Sequence, residues 1–272
     1  MTLSSNRHPA IHSSGPAVLI LIRSVVFNLL FYLNLLIYMT AAMPTLVLPY
    51  RVLVAFAKSW GRTNLWLLRV ICNINVDWKG LEKIPTGALI VAAKHQSTWD
   101  TFALLTLFRD PTFIIKRELM WIPVFGWYAW KAGLIAVDRG AGLAALARMS
   151  ARALQALKAS RQVIIFPEGT RRVPGAEPSY RPGITQLYGK AGVPCVPVAL
   201  NSGLFWPRRS FLRFPGTVLV EVLDPIAPGL DRKAFSARLQ DAIETACTRL
   251  LTEAKEQQTG VTSQRASGSS PA

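Results

Sequence analysis

Within KHQSTWD, residues 94–100, a histidine stands five residues before a carboxylate. His95 is also the one histidine of the chain outside its first dozen residues. A neutral imidazole held in one tautomer by a carboxylate is suited to take a proton from a hydroxyl or a water. Asp100, on the first turn of an expected helix, would face back toward His95 and do that holding. The same spacing has a second reading. Ser97-x-x-Asp100 is a capping box, in which Asp100 accepts backbone N–H groups and His95 is an ordinary loop residue. Ser97, two residues from His95, reads as the N-cap rather than as a nucleophile.

A second polar group is FPEGTRR, residues 166–172, which follows the apolar run QVII. The stretch supplies an acid at a strand end, a turn glycine, a threonine and two arginines. Glu168, read as exposed beside Arg171 and Arg172, would form a clamp with Gly169 and Thr170 in the turn. Arginine suits the bidentate recognition of phosphate. Taken singly, each arginine is equally a solvated surface charge. Lys116 and Arg117 end another short apolar run and are candidates for the same anion pocket.

The elements that must position these residues are legible from periodicity. ALIVAA (88–93), TFII (112–115), GLIAV (133–137), QVIIF (162–166), PCVPVAL (194–200) and TVLVEV (217–222) read as strands. The first and fourth of these show no polar alternation, as expected of strands covered on both faces. Helices fit at 98–108, 140–160, 183–191 and 231–255. The alternation predicts an α/β fold with a largely parallel central sheet flanked by helices. In such sheets ligands bind beyond the carboxyl ends of the strands, where most of this region's charge collects.

Ahead of that domain lies an apolar segment. No charged residue occurs from Ser24 to Tyr50. A single spanning helix over Val25–Met43 would be about 29 Å long, against a hydrocarbon core of about 30 Å. Alternatively, the chain breaks at Pro44 and Thr45–Trp60 returns to the same face as a helix pair. The third reading is a secretory signal cleaved after Thr40-Ala41-Ala42, although its leader is long for one. A retained anchor is the preferred reading. Arg51, Lys58, Arg62 and Arg69 follow it, against Arg7 and Arg23 before it, which keeps the downstream domain in the cytoplasm. The expected division is a disordered tail at 1–15, a membrane-anchoring helical segment at 16–66, a catalytic domain at 67–255 and a second disordered tail at 256–272.

The formal net charge is +16, with seven Lys/Arg and one acid in the first 80 residues and 24 against 14 in the rest. Such a balance fits nucleic acid, anionic lipid or anionic substrates. No nucleic-acid-binding signature accompanies it, and the apolar anchor favours a membrane surface carrying anionic lipid. Cys72, Cys195 and Cys247 have no metal-binding spacing and read as buried cytosolic thiols. WIPVFGWYAW, residues 121–130, reads either as a membrane-facing surface or as core.

Taken in order, HQSTWD (95–100), KRELMWIPVFGW (116–127), FPEGTR (166–171) and VPVAL (196–200) resemble the four motif blocks of the glycerolipid acyltransferases. Within that family the pattern is most similar to the bacterial 1-acyl-sn-glycerol-3-phosphate acyltransferases. Lys94 departs from it, since many members carry Asn there; the base is untouched but the loop is altered. The resemblance implies that His95, oriented by Asp100, deprotonates the sn-2 hydroxyl of lysophosphatidic acid. The alkoxide would attack an acyl thioester, from acyl-CoA or acyl-carrier protein, directly and without an acyl-enzyme. Lys116, Arg117, Glu168, Gly169, Thr170 and Arg171 would hold the acceptor's glycerol phosphate. Backbone amides near His95 or Gly169 are candidates for the oxyanion donors. The resemblance implies no metal, no cofactor, no nucleic acid, and a place on the inner membrane with the catalytic domain facing the cytoplasm. The competing readings are transfer to glycerol 3-phosphate or another lysolipid, hydrolysis of thioesters or phospholipids by the same dyad, and an idle protein that binds anionic lipid.

Overall fold

The computed structural model describes residues 17–138, 140 and 142–267, with side chains through Glu256. The expected disordered tail at 1–15 lies outside the described residues. Seven strands form one sheet: β1 (Ile74–Lys79), β2 (Leu89–Ala93), β3 (Pro111–Lys116), β4 (Ile135–Val137), β5 (Gln162–Ile165), β6 (Cys195–Leu200) and β7 (Gly216–Val222). Their order is β1-β7-β6-β2-β5-β3-β4. Every pairing is parallel except β6 with β7. The predicted α/β architecture with a largely parallel sheet is therefore present. The edge strand β1 was not foreseen, although INVDWK alternates apolar and polar residues as a half-buried strand does.

Helices cover both faces. On one side lie α1 (Ala17–Ala41), α2 (Tyr50–Cys72) and α3 (Trp99–Leu107); on the other lie α5 (Gly142–Lys158), α6 (Pro182–Ala191) and α7 (Arg232–Ser267). The alternate residues Leu89, Val91 and Ala93 of β2 enter the first core with Phe27, Leu68 and Phe102. Ile90 and Ala92 enter the second with Met149, Leu187 and Leu239. A strand sandwiched in this way has no solvent face, which is why its sequence carries no polar alternation. α7 continues past residue 255, the end expected from periodicity, to Ser267.

The apolar N-terminal segment is a helix pair. α1 is long and apolar enough to cross a membrane. The chain turns through a 3₁₀ segment at Met43–Leu46, where Pro44 cannot continue the helix, and Pro49 starts α2. The break at Pro44 and the return of the chain as a second helix are those of the helix-pair reading. Leu29, Leu33, Leu36 and Ile37 are exposed along α1, whereas Phe27 and Phe31 pack into the core beside Trp206. The division expected at 66/67 falls inside α2, whose Leu68 and Cys72 lie in the same core as Phe27. A seventh helix, α4 (Phe125–Lys131), carries the aromatic stretch. Trp121, Trp127 and Trp130 are exposed, while Tyr128 is buried and donates its hydroxyl to the Met39 carbonyl at the end of α1. Most of that aromatic stretch is thus surface, continuous with the hairpin.

Candidate active site

β2 and β5 are neighbours, paired Ile90↔Val163, and run parallel. The loop after β2 and the turn after β5 therefore emerge side by side. Their backbones are joined: the Arg172 amide donates to the His95 carbonyl at 2.8 Å. This pairing brings HQSTWD and FPEGTR together, although 66 residues separate Asp100 from Phe166.

The two readings of Asp100 turn out to be one arrangement. Its side chain is completely buried. Oδ2 accepts the backbone N–H groups of Gln96 at 2.7 Å and Ser97 at 2.9 Å, and lies 2.9 Å from His95 Nδ1. Oδ1 accepts the Ser202 hydroxyl, from the 3₁₀ turn that follows β6. The carboxylate thus caps the approach to α3 and orients the imidazole with one and the same atom. Ser97 makes the capping bonds expected of it: its Oγ accepts the Trp99 amide at 3.2 Å and its own amide donates to Asp100, while Thr98 at the boundary of α3 makes no side-chain cap bond. Ser97 is fully buried, which excludes it as a nucleophile reaching substrate.

The His95 ring stacks on Phe166, with centroids 3.8 Å apart and planes 16° from parallel. With Nδ1 committed to Asp100, the imidazole carries its proton there and leaves Nε2 as the basic nitrogen. Among the described residues Nε2 has no hydrogen-bond partner, and His95 lines a cavity of about 960 Å³. Apolar groups dominate that cavity's walls, which run from Leu35, Met39 and Phe56 of the helix pair past Phe113 to Leu146 and Met149 of α5. His95, Lys116, Asp138, Glu168, Arg171 and Arg181 supply polar groups to the same walls. An apolar cavity meeting a few convergent polar groups is the usual form of a small-molecule site.

Gly169 adopts φ +66°, a left-handed conformation that side chains disfavour, and its amide closes the turn on the Phe166 carbonyl at 2.9 Å. This tight turn carries Arg171 back across the loop after β2, where its Nη1 donates to Thr98 Oγ1 at 2.6 Å. Burial lowers the Arg171 guanidinium below its ordinary range; Asp100 opposes that, and Arg208 and Arg209 reinforce it. Arg171 is therefore a half-buried cation with other cations nearby, an arrangement that favours an incoming anion.

Glu168 differs from expectation. It is buried rather than exposed, 3.3 Å from Lys94 Nζ and 3.6 Å from Arg172 Nε, with no ion pair to Arg171. Lys94, at the carboxyl end of β2, and α7 close over it, which no spacing along the chain announces. Burial pushes its carboxyl up, against the pull of Lys94. The remaining basic candidates separate. Lys116 lines the cavity and pairs with Glu118 at 2.9 Å. Arg117 pairs with Asp138 at 3.1 Å, lies over the Trp121 ring and is not part of the cavity wall. Thr170 lines the cavity, as does Gly169. Gln96, Thr98, Phe166 and Ser202 were missed as site residues. Gln96 Oε1 accepts the Gly203 amide at 3.0 Å, and a Cβ on Gly203 would sit 2.9 Å from Gln96 Cβ, so the closeness of that loop depends on glycine.

Comparison with known proteins agrees with this architecture. The acyltransferase family model matches residues 75–201, a stretch that contains His95, Asp100 and the FPEGTR turn. A 1-acyl-sn-glycerol-3-phosphate acyltransferase of Pseudomonas aeruginosa is 36% identical over 203 residues, covering 74% of this chain and 79% of that one. The 1-acyl-sn-glycerol-3-phosphate acyltransferase alpha of Homo sapiens is 29% identical over 201 residues, 71% of each chain. The crystal structure of the 1-acyl-sn-glycerophosphate acyltransferase PlsC of Thermotoga maritima shares the fold, with a TM-score of 0.70 over 84% of this chain and 96% of that one at 23% identity. The identity to the Pseudomonas aeruginosa enzyme over 74% of the chain, together with the matched family model, makes this chain a member of the acyltransferase family. The relatives just described carry the name 1-acyl-sn-glycerol-3-phosphate acyltransferase.

Proposed function

We propose that the protein transfers an acyl group from an acyl thioester to the sn-2 hydroxyl of 1-acyl-sn-glycerol 3-phosphate, giving phosphatidic acid. The observation that carries this reading is the unpartnered Nε2 of His95, held by Asp100 on the wall of a mainly apolar cavity, with Arg171 on the same wall. His95 Nε2 takes the hydroxyl proton while the oxygen attacks the thioester carbonyl. The tetrahedral intermediate collapses with cleavage of the C–S bond, and the imidazolium returns its proton to the departing thiolate. Asp100 stabilises the imidazolium in between. General-base assistance of this kind contributes roughly 10²–10⁴-fold in rate.

Arg171 binds the acceptor phosphate, with Lys116 from the adjacent strand; Gly169 and Thr170 shape that wall, and Glu168 braces it from beneath. Arg117, already paired with Asp138, contributes to the basic rim rather than to direct contact. The acyl chains occupy the apolar length of the cavity, between the helix pair and α5. The donor is acyl-CoA or acyl-carrier protein. The exposed leucines of α1 and the tryptophans around α4 rest in the inner membrane, whose anionic lipids meet the basic surface, and the catalytic domain faces the cytoplasm. The test is incubation of the purified protein with labelled acyl thioester, with and without lysophosphatidic acid. Label should appear in phosphatidic acid only when acceptor is present, and should vanish in a folded His95→Ala variant. Release of free fatty acid without acceptor would make the protein a hydrolase instead. Equal labelling of glycerol 3-phosphate would move the acceptor assignment.

A further inference from the structure

Beneath the Glu168 turn lies a buried ionic group that the reaction itself does not touch. Lys94 leaves the end of β2, its amide donating to the Val198 carbonyl at 2.9 Å, and its side chain is 2% exposed. Its ammonium donates to both oxygens of Glu244 on α7, at 2.8 and 2.9 Å, and reaches Glu168 Oε1 at 3.3 Å. Tyr180 Oη also donates to Glu244, at 3.0 Å. Arg172 approaches Glu168 from the other side at 3.6 Å. Both Glu168 oxygens are buried without a well-formed hydrogen bond among the described residues; burial pushes the carboxyl up, and the nearby Lys94 ammonium opposes that.

Two cations and two carboxylates thus balance in a site where Lys94 and Glu168 are closed to water, while Glu244 is 24% and Arg172 34% exposed. The groups facing Glu168 come from every element around it: Lys94 from the end of β2, Glu244 and Cys247 from α7, and Arg172 and Tyr180 from the segment after β5. His95 and Arg181 share the cavity wall with it. The distribution is asymmetric. Lys94 serves two carboxylates, and of those two Glu244 is the one in contact with solvent while Glu168 is closed off. Without the ammonium, Glu168 and Glu244 would confront each other with Arg172 alone to offset them, and the more buried of the two would take up a proton.

We infer that Lys94 and Glu244 act as a coupled positioning pair, in which Lys94 keeps Glu168 ionised and Glu244 limits how strongly it does so. Ionised Glu168 holds Arg172, whose amide is bonded to the His95 carbonyl, and so fixes the turn that presents Arg171. α7 is thereby connected to the acceptor end of the site. Lys94 touches no substrate in this scheme and is a positioning residue. The inference rests on the acyl-transfer reading for its kinetic consequence, but not for the ionic arrangement.

The experiment compares Lys94→Asn, Glu244→Gln and the double variant of the full-length protein in detergent. The pH dependence of kcat/KM toward the lysophosphatidic acid acceptor is the first readout. Lys94→Asn should move the acidic limb toward alkaline pH by about 1–3 units, since an opposite charge at this distance lowers a carboxyl by that much. Its acceptor KM should rise on the acidic side, while the rate on the alkaline plateau is retained. Glu244→Gln should move the limb the other way, because the ammonium is then committed to Glu168 alone. The double variant should return toward the wild-type limb. Single variants whose limbs stay in place, or that lose activity equally at every pH without reversal in the double, would overturn the coupling. The second readout needs no turnover: a protonated-carboxyl infrared band, assigned by its loss in Glu168→Gln, should appear at neutral pH in Lys94→Asn and be absent from wild type. Its absence from folded Lys94→Asn also overturns the inference. If wild type transfers no acyl group at all, the proposed function falls, and the infrared comparison still decides the role of Lys94.

Discussion

Asp100→Asn separates a helix cap from a catalytic partner, because it retains most of the shape and removes the charge. The carboxylate receives two backbone N–H groups and the His95 ring on Oδ2, and the Ser202 hydroxyl on Oδ1. An asparagine can keep its carbonyl oxygen on the crowded side and turn its amide toward Ser202, whose hydroxyl can accept as well as donate. Three bonds to a charged acceptor, about 1.5–3 kcal/mol each, then become neutral bonds of about 0.5–1.5 kcal/mol. The loss of roughly 3–4 kcal/mol is offset in part because a neutral amide is cheaper to bury than a carboxylate, leaving about 1–3 kcal/mol. For a chain of this size that lowers the thermal midpoint by roughly 2–12 °C. The rate should fall far more than the folded population, by about 10²–10⁴-fold, because imidazolium formation loses its counter-charge. Asp100→Ala strands the Gln96 and Ser97 amides and should cost about 2–6 kcal/mol in stability. Melting in detergent, followed by kcat on the fraction that remains folded, distinguishes the two effects. An Asp100→Asn protein with a modestly lowered midpoint and nearly wild-type turnover would reduce Asp100 to its capping role and refute the dyad.

Arg171→Ala should raise the acceptor KM by roughly 10–150-fold with little change in the thioester KM, matching the loss of a charged hydrogen bond of about 1.5–3 kcal/mol. Arg171→Lys should recover only part of this, since the ammonium lacks the planar fork; equal weakening toward monoacylglycerol would make Arg171 structural. The protein should stay on membranes after a high-salt wash, because burial of the apolar α1 surface is insensitive to screening; complete release by salt would assign attachment to the basic charge alone. All three cysteines are buried, and burial pushes the Cys247 thiol up to about 12, so thiolate is scarce at neutral pH. Alkylating reagents should therefore label no more than traces of thiol until denaturant is added, and rapid labelling of native protein would contradict the packing of α7 against β6.

On the proposed function, the helix pair and α4 define one surface in which lipid attachment and substrate access meet. Tyr128 links α4 to the end of α1, and both elements contribute to the wall of the cavity that His95 shares. On the proposed reading, an acceptor with its acyl chain in the bilayer enters along the same apolar face that anchors the protein. Its phosphate is then met by Arg171 where the apolar wall gives way to charge.

Much of this protein was determined by its sequence alone, because the deciding effects are local. Continuous apolar runs marked β2 and β5 as strands covered on both sides, and Pro44 marked the break between α1 and α2. The spacing of His95 and Asp100 sufficed to place an imidazole and a carboxylate on one corner, since five residues across a helix start leave little freedom. Gly169, at a φ open chiefly to glycine, signalled the turn that carries Arg171. What only the tertiary structure decided depends on neighbours remote in the chain. The second oxygen of Asp100, left over by its local bonds to His95, Gln96 and Ser97, is taken up by the Ser202 hydroxyl from the turn after β6. Glu168 proved buried because Lys94 emerges from the adjacent strand and α7, carrying Glu244, closes over it, a contact spanning 150 residues from Lys94. The fates of Lys116 and Arg117 diverged for the same reason. Lys116 ends β3 and Arg117 opens the 3₁₀ turn after it; Asp138 at the end of the paired strand β4 claims Arg117, while Lys116, paired with Glu118, stays on the cavity wall.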